Sequence, residues 1–279
     1  MKVAVAGATG AVGIEFLRIL EERKFPVDAL RLLASSRSAG KKLAFRGEEF
    51  PVEDLSAFDP RGTELALFSA GSAAAKEHAP RFARAGAVVV DNSSAFRMDP
   101  EVPLVVPEIN PEDARRHQGI VANPNCTTIL FLMAVFPLHR EAGIRRAIVS
   151  TYQAVSGKGA RAMEELDLQI RAAIEGKPLV SSVFPHPIAG NVIPQVDSFD
   201  EEGTSIEERK LSRETAKILG ANAFAVAGTC VRVPVPRAHS ESVALEFERE
   251  IDPERARRLL SSFPGVRVVD DPSRSVYPM

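Results

Sequence analysis

The chain has 279 residues, of which 45% are hydrophobic and 26% charged, and its formal net charge is −2. This near-neutral balance excludes the basic surface expected of a protein that binds nucleic acid or an anionic membrane. The longest apolar run, residues 129–136, is too short to span a bilayer. Two cysteines are too few for a disulfide framework. We therefore expect a soluble, cytoplasmic protein with neither nucleic-acid nor membrane partners.

Short apolar runs alternate with helical patterns in the first part of the chain. The predicted strands are residues 2–6, 30–34, 65–69 and 87–90, and the predicted helices are residues 14–23 and 73–85. Apolar strands that alternate with helices are typical of a parallel sheet covered on both faces. We therefore predict an α/β fold that opens with a Rossmann-type domain over residues 1–125.

The pattern changes after about residue 120. Predicted helices at 127–140, 160–174 and 205–219 accompany predicted strands at 147–153, 223–233 and 242–249, with a loop at 181–200. The last two strands alternate apolar and polar residues, as antiparallel strands do. We therefore predict a second, α+β domain over residues 126–279 with a mixed, partly antiparallel sheet.

Three glycines follow the first predicted strand and precede the first predicted helix, in the spacing GxxGxxG. Gly7 would allow the tight turn, Gly10 would let the backbone approach a pyrophosphate, and Gly13 would let the helix pack against the strand. The free amides of the helix start would then face the phosphates. The alternative is a glycine-rich turn that binds nothing, but the strand–turn–helix context favours a dinucleotide site.

The end of the second predicted strand indicates which dinucleotide. NAD sites usually carry an acid there for the ribose hydroxyls, whereas a basic residue suits a 2′-phosphate. In this chain Ser35, Ser36, Arg37 and Ser38 follow the strand, and no acid occurs before Glu48. Hydroxyls beside a guanidinium favour NADP over NAD. The alternative is an ordinary polar surface loop.

Cys126 stands at the start of the helix predicted after Asn123, Pro124 and Asn125. A helix N-terminus lowers the pKa of a thiol, and the adjoining amides can stabilise an oxyanion. The alternative is a buried structural cysteine, but a preceding cofactor domain favours a nucleophile. Cys230 lies in an apolar strand pattern, which predicts a packing role.

Five histidines are candidates for a base that serves Cys126. Three lie in helical or helix-end patterns, and His186 lies between two prolines. His239 follows the end of a strand, where a side chain can be held rigidly, and this gives it a modest advantage. No metal site is predicted.

Several segments, taken together in their order and spacing, resemble the aspartate-semialdehyde dehydrogenase family over essentially the whole chain. They are residues 7–13, 91–97, 106–110, 123–128, 151–157, 230–235 and 239–240. The resemblance implies NADPH-dependent reduction of β-aspartyl phosphate to aspartate semialdehyde and phosphate, in the biosynthesis of lysine, threonine and methionine. It also implies a homodimer or a tetramer of dimers, built through a catalytic and dimerisation domain at 126–279.

The same resemblance implies roles for individual residues. Cys126 would form the thioacyl enzyme, His239 would act as acid and base, and Gln153 would orient the acyl group. Arg232 would hold the substrate carboxylate, and Arg97 would hold the phosphoryl group. Glu207 and Lys210 would lie near the amine and the phosphate. Asn125 would also contact the substrate. The implied NADP contacts are Gly7, Thr9, Gly10, Ala11, Val12, Gly13, Ser35, Arg37, Ser38, Ser156 and Gly157.

Two departures and three alternatives accompany the resemblance. Ala238 stands where many relatives have glycine. Relatives also continue for several tens of residues beyond Met279, including a helix that returns to the cofactor domain. The resemblance therefore does not by itself establish that this chain alone is active, although the chain retains every side chain named above. One alternative is N-acetyl-glutamyl-phosphate reductase, against which a carboxylate placed for a free ammonium, Glu207, argues. A glyceraldehyde-phosphate dehydrogenase would need no carboxylate clamp. A non-catalytic NADP-binding protein is the third.

Overall fold

The computed structural model describes residues 1–279 and contains ten strands and six α-helices. The strands are β1 (Lys2–Ala6), β2 (Ala29–Ala34), β3 (Lys42–Phe45), β4 (Glu48–Asp54), β5 (Leu65–Phe68), β6 (Val88–Asp91), β7 (Ile120–Ala122), β8 (Ile144–Gln153), β9 (Ala225–Arg232) and β10 (Ser240–Phe247). The helices are α1 (Ala11–Glu22), α2 (Ser72–Arg84), α3 (Cys126–Ala142), α4 (Ala160–Ile174), α5 (Ile206–Leu219) and α6 (Pro253–Ser262). None of these helices combines the length and hydropathy that crossing a membrane requires.

The first sheet has seven strands in the order β3-β4-β2-β1-β5-β6-β7. All neighbours are parallel except β3 and β4, which pair antiparallel. The chain adds strands on one side of β1 and then crosses to the other side, so the order reverses at β1. Ligands of open α/β sheets bind at the carboxyl ends of the strands where the order reverses, and the glycine turn lies there.

The central strand of this sheet is buried on both faces. Val3 and Val5 belong to a core of ten buried residues, whereas Ala4 and Ala6 belong to a core of 25 that also contains residues of α3, β8 and α5. Successive side chains of a strand point to opposite faces, so β1 contributes to both cores. The larger core joins the parallel sheet to the second half of the chain.

The second sheet has three strands in the order β10-β8-β9. β10 is antiparallel to β8, as predicted, but the antiparallel prediction is wrong for β9, which pairs parallel with β8. Helices α4 and α5 and the loop between them occupy the crossover, and a long connection allows a parallel return. The predicted mixed, partly antiparallel sheet is confirmed.

Glu241 on β10 is partly buried, and its Oε1 atom is shielded from solvent with no hydrogen-bond partner. Burial raises its pKa from 4.5 to about 8. Because the folded-state pKa lies above the unfolded value, the stabilisation by its proton is complete below pH 4.5 and is lost as pH rises through 8. Glu241→Gln cannot ionise, so between pH 6 and pH 8 we expect the free energy of unfolding of the parent to fall by about 2 kcal/mol relative to that of Glu241→Gln.

Urea unfolding at pH 6 and pH 8 measures this effect. Glu246→Gln on the same strand is the control, since Glu246 forms an exposed ion pair with Arg146 at 2.8 Å that is worth less than about 1 kcal/mol. The same pH dependence in Glu241→Gln and in the parent would contradict the assignment.

Candidate active site

The turn between β1 and α1 requires glycine at two of its three predicted positions. Gly7 has a φ of +86°, and a Cβ there would lie 2.3 Å from the carbonyl oxygen of Ser69. A Cβ on Gly13 would lie 2.2 Å from the carbonyl oxygen of Gly7, because α1 packs directly on the turn. Gly10 has an ordinary φ of −80°. At that position glycine would serve close approach by a ligand rather than the backbone.

The first turn of α1 presents amides without helical partners. Its first helical hydrogen bond runs from Ile14 N–H to Gly10 O, so the N–H groups of Ala11, Val12 and Gly13 point past the helix start. No side chain caps this end, and no acid lies in the first turn. Val12 and Ile14 are 39% and 50% exposed. This arrangement fits a dinucleotide pyrophosphate with an apolar group beside it.

The loop after β2 lies beside the glycine turn. Ser35 precedes a short 3₁₀ turn, Ser36–Ser38, and the Ser38 hydroxyl lies 3.5 Å from the Thr9 hydroxyl. Arg37 is exposed, and neither β2 nor the turn contains an acid. The hydroxyls and the guanidinium therefore lie beside the glycine turn, without a carboxylate in β2 or the 3₁₀ turn that would repel an anion.

Polar side chains connect the glycine turn to the segment before Cys126. Ser69, whose carbonyl oxygen lies against Gly7, accepts from the Asn92 amide at 3.4 Å. The Asn92 side chain in turn accepts from Asn123 Nδ2 at 2.8 Å. These residues follow β5, β6 and β7, whose carboxyl ends lie at one edge of the parallel sheet. The cofactor loop and the cysteine therefore share that edge.

Helix α3 begins at Cys126 and is capped by Asn125. Asn125 Oδ1 accepts from Thr127 N–H at 2.9 Å and from Thr128 N–H at 3.4 Å. Asn125 therefore occupies two of the helix-start amides that were predicted to be available to an oxyanion. The remaining free amide of the first turn beside the sulfur is that of Cys126.

The surroundings of Cys126 favour its thiol form over the thiolate. Its side chain reaches solvent through the mouth of a pocket, but the surrounding protein withdraws it from bulk water. Burial, assisted by the Glu207 carboxylate, raises the pKa of Cys126 to about 11, although Thr127 N–H and Arg97 act in the opposite direction. The predicted lowering of this pKa is wrong, because desolvation outweighs the helix N-terminus.

Glu207 is the centre of the polar network beside the cysteine. It lies in the first turn of α5 and is 5% exposed. Oε1 accepts from Asn125 Nδ2 at 3.0 Å and from Gln153 Nε2 at 2.9 Å, and Oε2 accepts from Lys210 Nζ at 3.1 Å. Glu207 therefore orients the helix cap, the glutamine and the lysine together.

Lys210 bridges two carboxylates, since it also donates to Asp197 Oδ2 at 2.8 Å. Burial disfavours its charge, but Glu207 and Asp197 outweigh burial and hold the pKa of Lys210 above its ordinary value. Asp197 has a φ of +71°, which is uncommon for a residue other than glycine. Lys210 is therefore a fixed cation at the pocket.

Arg232 and His239 approach Gly157 from the second sheet. Arg232 is 4% exposed and donates from Nη1 to Ala154 O at 2.7 Å. A Cβ on Gly157 would lie 3.0 Å from that nitrogen and 3.5 Å from the ring of His239. Glycine at this position therefore lets both side chains reach the same place. Ser156 is held by its N–H, which donates to Pro236 O.

The backbone determines the tautomer of His239. Ala154 N–H donates to Nδ1 at 3.0 Å, so the neutral ring carries its proton on Nε2. Burial and the charge of Arg232 lower the pKa of His239 from 6.5. Near neutral pH His239 is therefore an uncharged ring whose Nε2 donates rather than accepts.

Arg97 is buried at the other side of the cysteine and is 7% exposed. Nε donates to Asn123 O, Nη2 to Asn92 O and Nη1 to Glu214 Oε1, at 2.9, 2.9 and 3.0 Å. The guanidinium is therefore fixed in orientation, while its remaining N–H groups can still donate.

Most of the predicted catalytic and substrate residues line one pocket of about 300 Å³. They are Arg97, Asn125, Cys126, Gln153, Glu207, Lys210 and Arg232, and the predicted cofactor residue Gly157 lines the same pocket. His239 does not line it but lies against Gly157, and the predicted cofactor residues of the glycine turn and of the loop after β2 form a separate group. A larger cavity of about 820 Å³, beside His139 and Lys217, contains none of them.

Sequence reasoning missed Asn92, Lys158 and Asp197, which line the pocket. It also missed Glu214, which does not line the pocket but binds Arg97 and Asn125. Glu214 had a detectable signal, because it lies on the same face of α5 as Leu211 and Ile218, which are buried. A charged residue on an apolar helix face indicates a buried partner. The other three lie in loops or at a strand end and carried no such signal.

Comparison with known proteins agrees with this architecture. Residues 2–117 match the family model "Semialdehyde dehydrogenase, NAD binding domain", and residues 135–279 match "Semialdehyde dehydrogenase, dimerisation domain". An aspartate-semialdehyde dehydrogenase of Aquifex aeolicus is 53% identical over 282 residues, which is 100% of this chain and 83% of that protein. The chain belongs to the aspartate-semialdehyde dehydrogenase family.

Two solved structures of that family extend the comparison. Aspartate semialdehyde dehydrogenase II of Vibrio cholerae, complexed with ASA, has a TM-score of 0.94 and 44% identity, and the match covers 96% of this chain and 80% of that one. The Candida albicans enzyme with NADP has a TM-score of 0.69 and 27% identity, with 94% and 76% covered. The family and fold predicted from the sequence are confirmed, and N-acetyl-glutamyl-phosphate reductase is not favoured.

Proposed function

We propose that this chain catalyses the reversible, phosphate-dependent oxidation of aspartate semialdehyde with NADP, through a thioacyl intermediate on Cys126. One observation carries the proposal: the thiol opens into a pocket whose walls hold Arg97, Arg232, Lys210 and Glu207. Such a pocket matches a substrate that carries a carboxylate, an ammonium and a reacting carbonyl, together with phosphate. ASA in the Vibrio cholerae relative supports this substrate.

The substrate would be oriented by the fixed charges. Arg232 would bind the α-carboxylate, since a planar guanidinium suits two carboxylate oxygens. Glu207 would accept from the ammonium through the lone pair that Asn125, Gln153 and Lys210 leave free. Arg97 and Lys210 would bind phosphate. Binding of these groups would bring the carbonyl carbon to the Cys126 sulfur.

In the reductive direction, Cys126 Sγ would attack the acyl carbon of β-aspartyl phosphate. The C–S bond forms and the C–O bond to phosphate breaks. Phosphate leaves with the bonding electrons and takes up the thiol proton, so that it departs as hydrogen phosphate. The tetrahedral oxyanion would accept hydrogen bonds from Cys126 N–H and His239 Nε2–H, and Gln153 would hold the thioacyl group. After reduction of the thioester, the C–S bond breaks as the aldehyde C=O forms.

The cofactor site fits NADP. Bound NADP(H) supplies the hydride transfer at the carbonyl carbon. The pyrophosphate would be surrounded by Gly7, Thr9, Gly10, Ala11, Val12 and Gly13. The 2′-phosphate would be bound by Ser35, Arg37 and Ser38. The end of the cofactor nearest the cysteine would contact Ser156 and Gly157. The close approach already required at Gly7 and Gly13 and the uncapped start of α1 support this assignment.

Arg37→Ser should raise the KM for NADP by about tenfold or more, because a charge-assisted contact to phosphate is lost, while kcat changes little. Steady-state kinetics with NADP and NAD measure the effect. The control is Arg31→Ser, since Arg31 lies on β2 but pairs with Glu53 at 3.3 Å. An unchanged ratio of NADP to NAD usage in Arg37→Ser would refute the 2′-phosphate contact.

The second sheet supports a homodimer. Side chains on its outer face include Ile148 and Tyr152, which are 51% and 44% exposed, and the family model that covers this region is described as a dimerisation domain. Apolar groups on an open sheet face favour association. The face of this sheet belongs to the second of two parts that we propose for the chain. They are an NADP-binding part, residues 1–125, and a catalytic and dimerisation part, residues 126–279.

The direct test of the function compares two aldehydes. We expect phosphate-dependent reduction of NADP with aspartate semialdehyde and at least about 100-fold lower kcat/KM with N-acetylglutamate semialdehyde, whose blocked amine cannot pair with Glu207. Equal use of both aldehydes, or no NADP reduction with either, would contradict the proposal.

A further inference from the structure

Glu214 is a buried carboxylate that joins two parts of the site. It lies on α5, two turns beyond Glu207, and is 1% exposed. Oε1 accepts from Arg97 Nη1 at 3.0 Å, and Oε2 accepts from Asn125 N–H at 2.6 Å. A single carboxylate therefore binds both the guanidinium and the peptide that precedes Cys126.

Arg97 also binds the peptide segment of residues 123–125 that Glu214 contacts. Its Nε donates to Asn123 O at 2.9 Å, so the pair of Glu214 and Arg97 holds a carbonyl and an amide of residues 123–125 at once. Asn125 also caps α3, and its peptide determines where Cys126 begins the helix. A shift of this segment would move the sulfur directly.

We propose that Glu214 is a positioning residue, which links the phosphate-binding guanidinium of Arg97 to the peptide that carries the nucleophile. This inference rests on the roles proposed above for Cys126 and Arg97. Two donors, a guanidinium and a backbone amide, converge on Glu214 and require two acceptor oxygens. A glutamine offers one oxygen and one NH₂ group, so one of the two donors would face another donor.

Glu214 also balances a charge. Its removal leaves the buried guanidinium of Arg97 without its carboxylate, while two backbone carbonyls, those of Asn123 and Asn92, still hold that guanidinium in place. Removal of Glu214 should therefore affect the position of the nucleophile and the charge of the anion site in opposite senses for catalysis. The nucleophile loses alignment, but the anion site becomes more positive.

Glu214→Gln is the test. We expect kcat for oxidation of aspartate semialdehyde to fall by about tenfold to 100-fold, as for a nucleophile displaced by a fraction of an ångström, while the KM for phosphate stays the same or falls. The matched control is Glu208→Gln on the same helix. Glu208 accepts from Cys230 N–H at 3.0 Å and from Ser205 N–H at 2.9 Å and has no contact with Arg97 or Asn125. That variant should keep kcat within about threefold.

A kcat for Glu214→Gln equal to that of Glu208→Gln would overturn the inference. So would a loss of kcat with a raised KM for phosphate, which indicates general damage to the site. If Glu214→Gln does not fold, Glu214→Asp carries the same test, since it keeps the charge but is one methylene too short to reach Asn125 N–H.

Cys126→Ser in the same assay separates this inference from the proposed function. If Cys126→Ser remains active, the proposed nucleophile is wrong whatever Glu214 does. If Cys126→Ser is inactive and Glu214→Gln behaves like Glu208→Gln, only the positioning role fails.

Discussion

Cys126→Ser should lower kcat for phosphate-dependent oxidation of aspartate semialdehyde by at least about 10³-fold, because it removes the sulfur that forms the covalent intermediate. The serine hydroxyl fits the same position but ionises far less readily than a thiol. NADPH formation followed spectrophotometrically measures the loss. Binding of NADP should be unchanged, since the glycine turn is untouched.

Cys230→Ser provides the matched control for that experiment. Cys230 is buried on β9, and burial raises its pKa to about 12, so it lacks access to substrate. We expect this variant to keep kcat within a few-fold. Near wild-type activity in Cys126→Ser, or a comparable loss in Cys230→Ser, would be incompatible with the assigned nucleophile.

His239→Asn should lower kcat by about 10² to 10³-fold, the range expected when a positioned acid or hydrogen-bond donor is removed. The reason is the tautomer: Ala154 N–H engages Nδ1, which leaves Nε2–H to stabilise the oxyanion and to move protons. The shorter asparagine does not extend to the same point. Steady-state rates between pH 5 and pH 9 measure the effect.

The pH profile gives a second readout for His239. Burial and Arg232 hold the pKa of His239 below 6.5. Protonation places a proton on Nδ1, where Ala154 N–H already donates, so the ring should lose its position and wild-type activity should fall at pH values below 6.5. His239→Asn should lack this acid limb. His139→Asn is the control, because His139 Nδ1 likewise accepts a backbone amide, that of Ile144, at 2.9 Å. Retention of the limb in His239→Asn, or its loss in His139→Asn, would refute the assignment.

The sequence predicted best those features that depend on local pattern. The strand at residues 2–6 and the helix at 160–174 have the observed bounds, because apolar runs and helical spacing are local properties. The glycine turn was predictable because the close backbone contacts at Gly7 and Gly13 require glycine, and this requirement leaves a recognisable spacing in the sequence. The start of α3 was predicted one residue late, at Thr127, because capping by Asn125 extends the helix to Cys126.

Features that depend on distant parts of the chain were not predictable. The hairpin of β3 and β4 and the short β7 lack a long apolar run, and the parallel pairing of β9 depends on a crossover of more than 70 residues. The contact of Glu214 with Asn125 spans 89 positions. The thiol pKa was predicted in the wrong direction because desolvation depends on the assembled pocket rather than on the helix start.

The high pKa of Cys126 has a mechanistic consequence. With a pKa of about 11, about one thiol in a thousand is ionised at pH 8. With Ala154 N–H donating to Nδ1, the neutral ring of His239 carries its proton on Nε2 and does not accept the thiol proton there. We expect bound ligands to complete the activation of the nucleophile, because they change the electrostatics of the pocket around Glu207, Arg97 and Arg232.

The covalent intermediate on Cys126 can be tested by omitting phosphate. Aspartate semialdehyde and NADP, mixed with enzyme at high concentration and quenched, should produce a burst of about one NADPH per active site. Peptide mass spectrometry should find an aspartyl group on Cys126, and added phosphate should release it. The absence of a burst, or an acyl group on another residue, would contradict a thioacyl mechanism at Cys126.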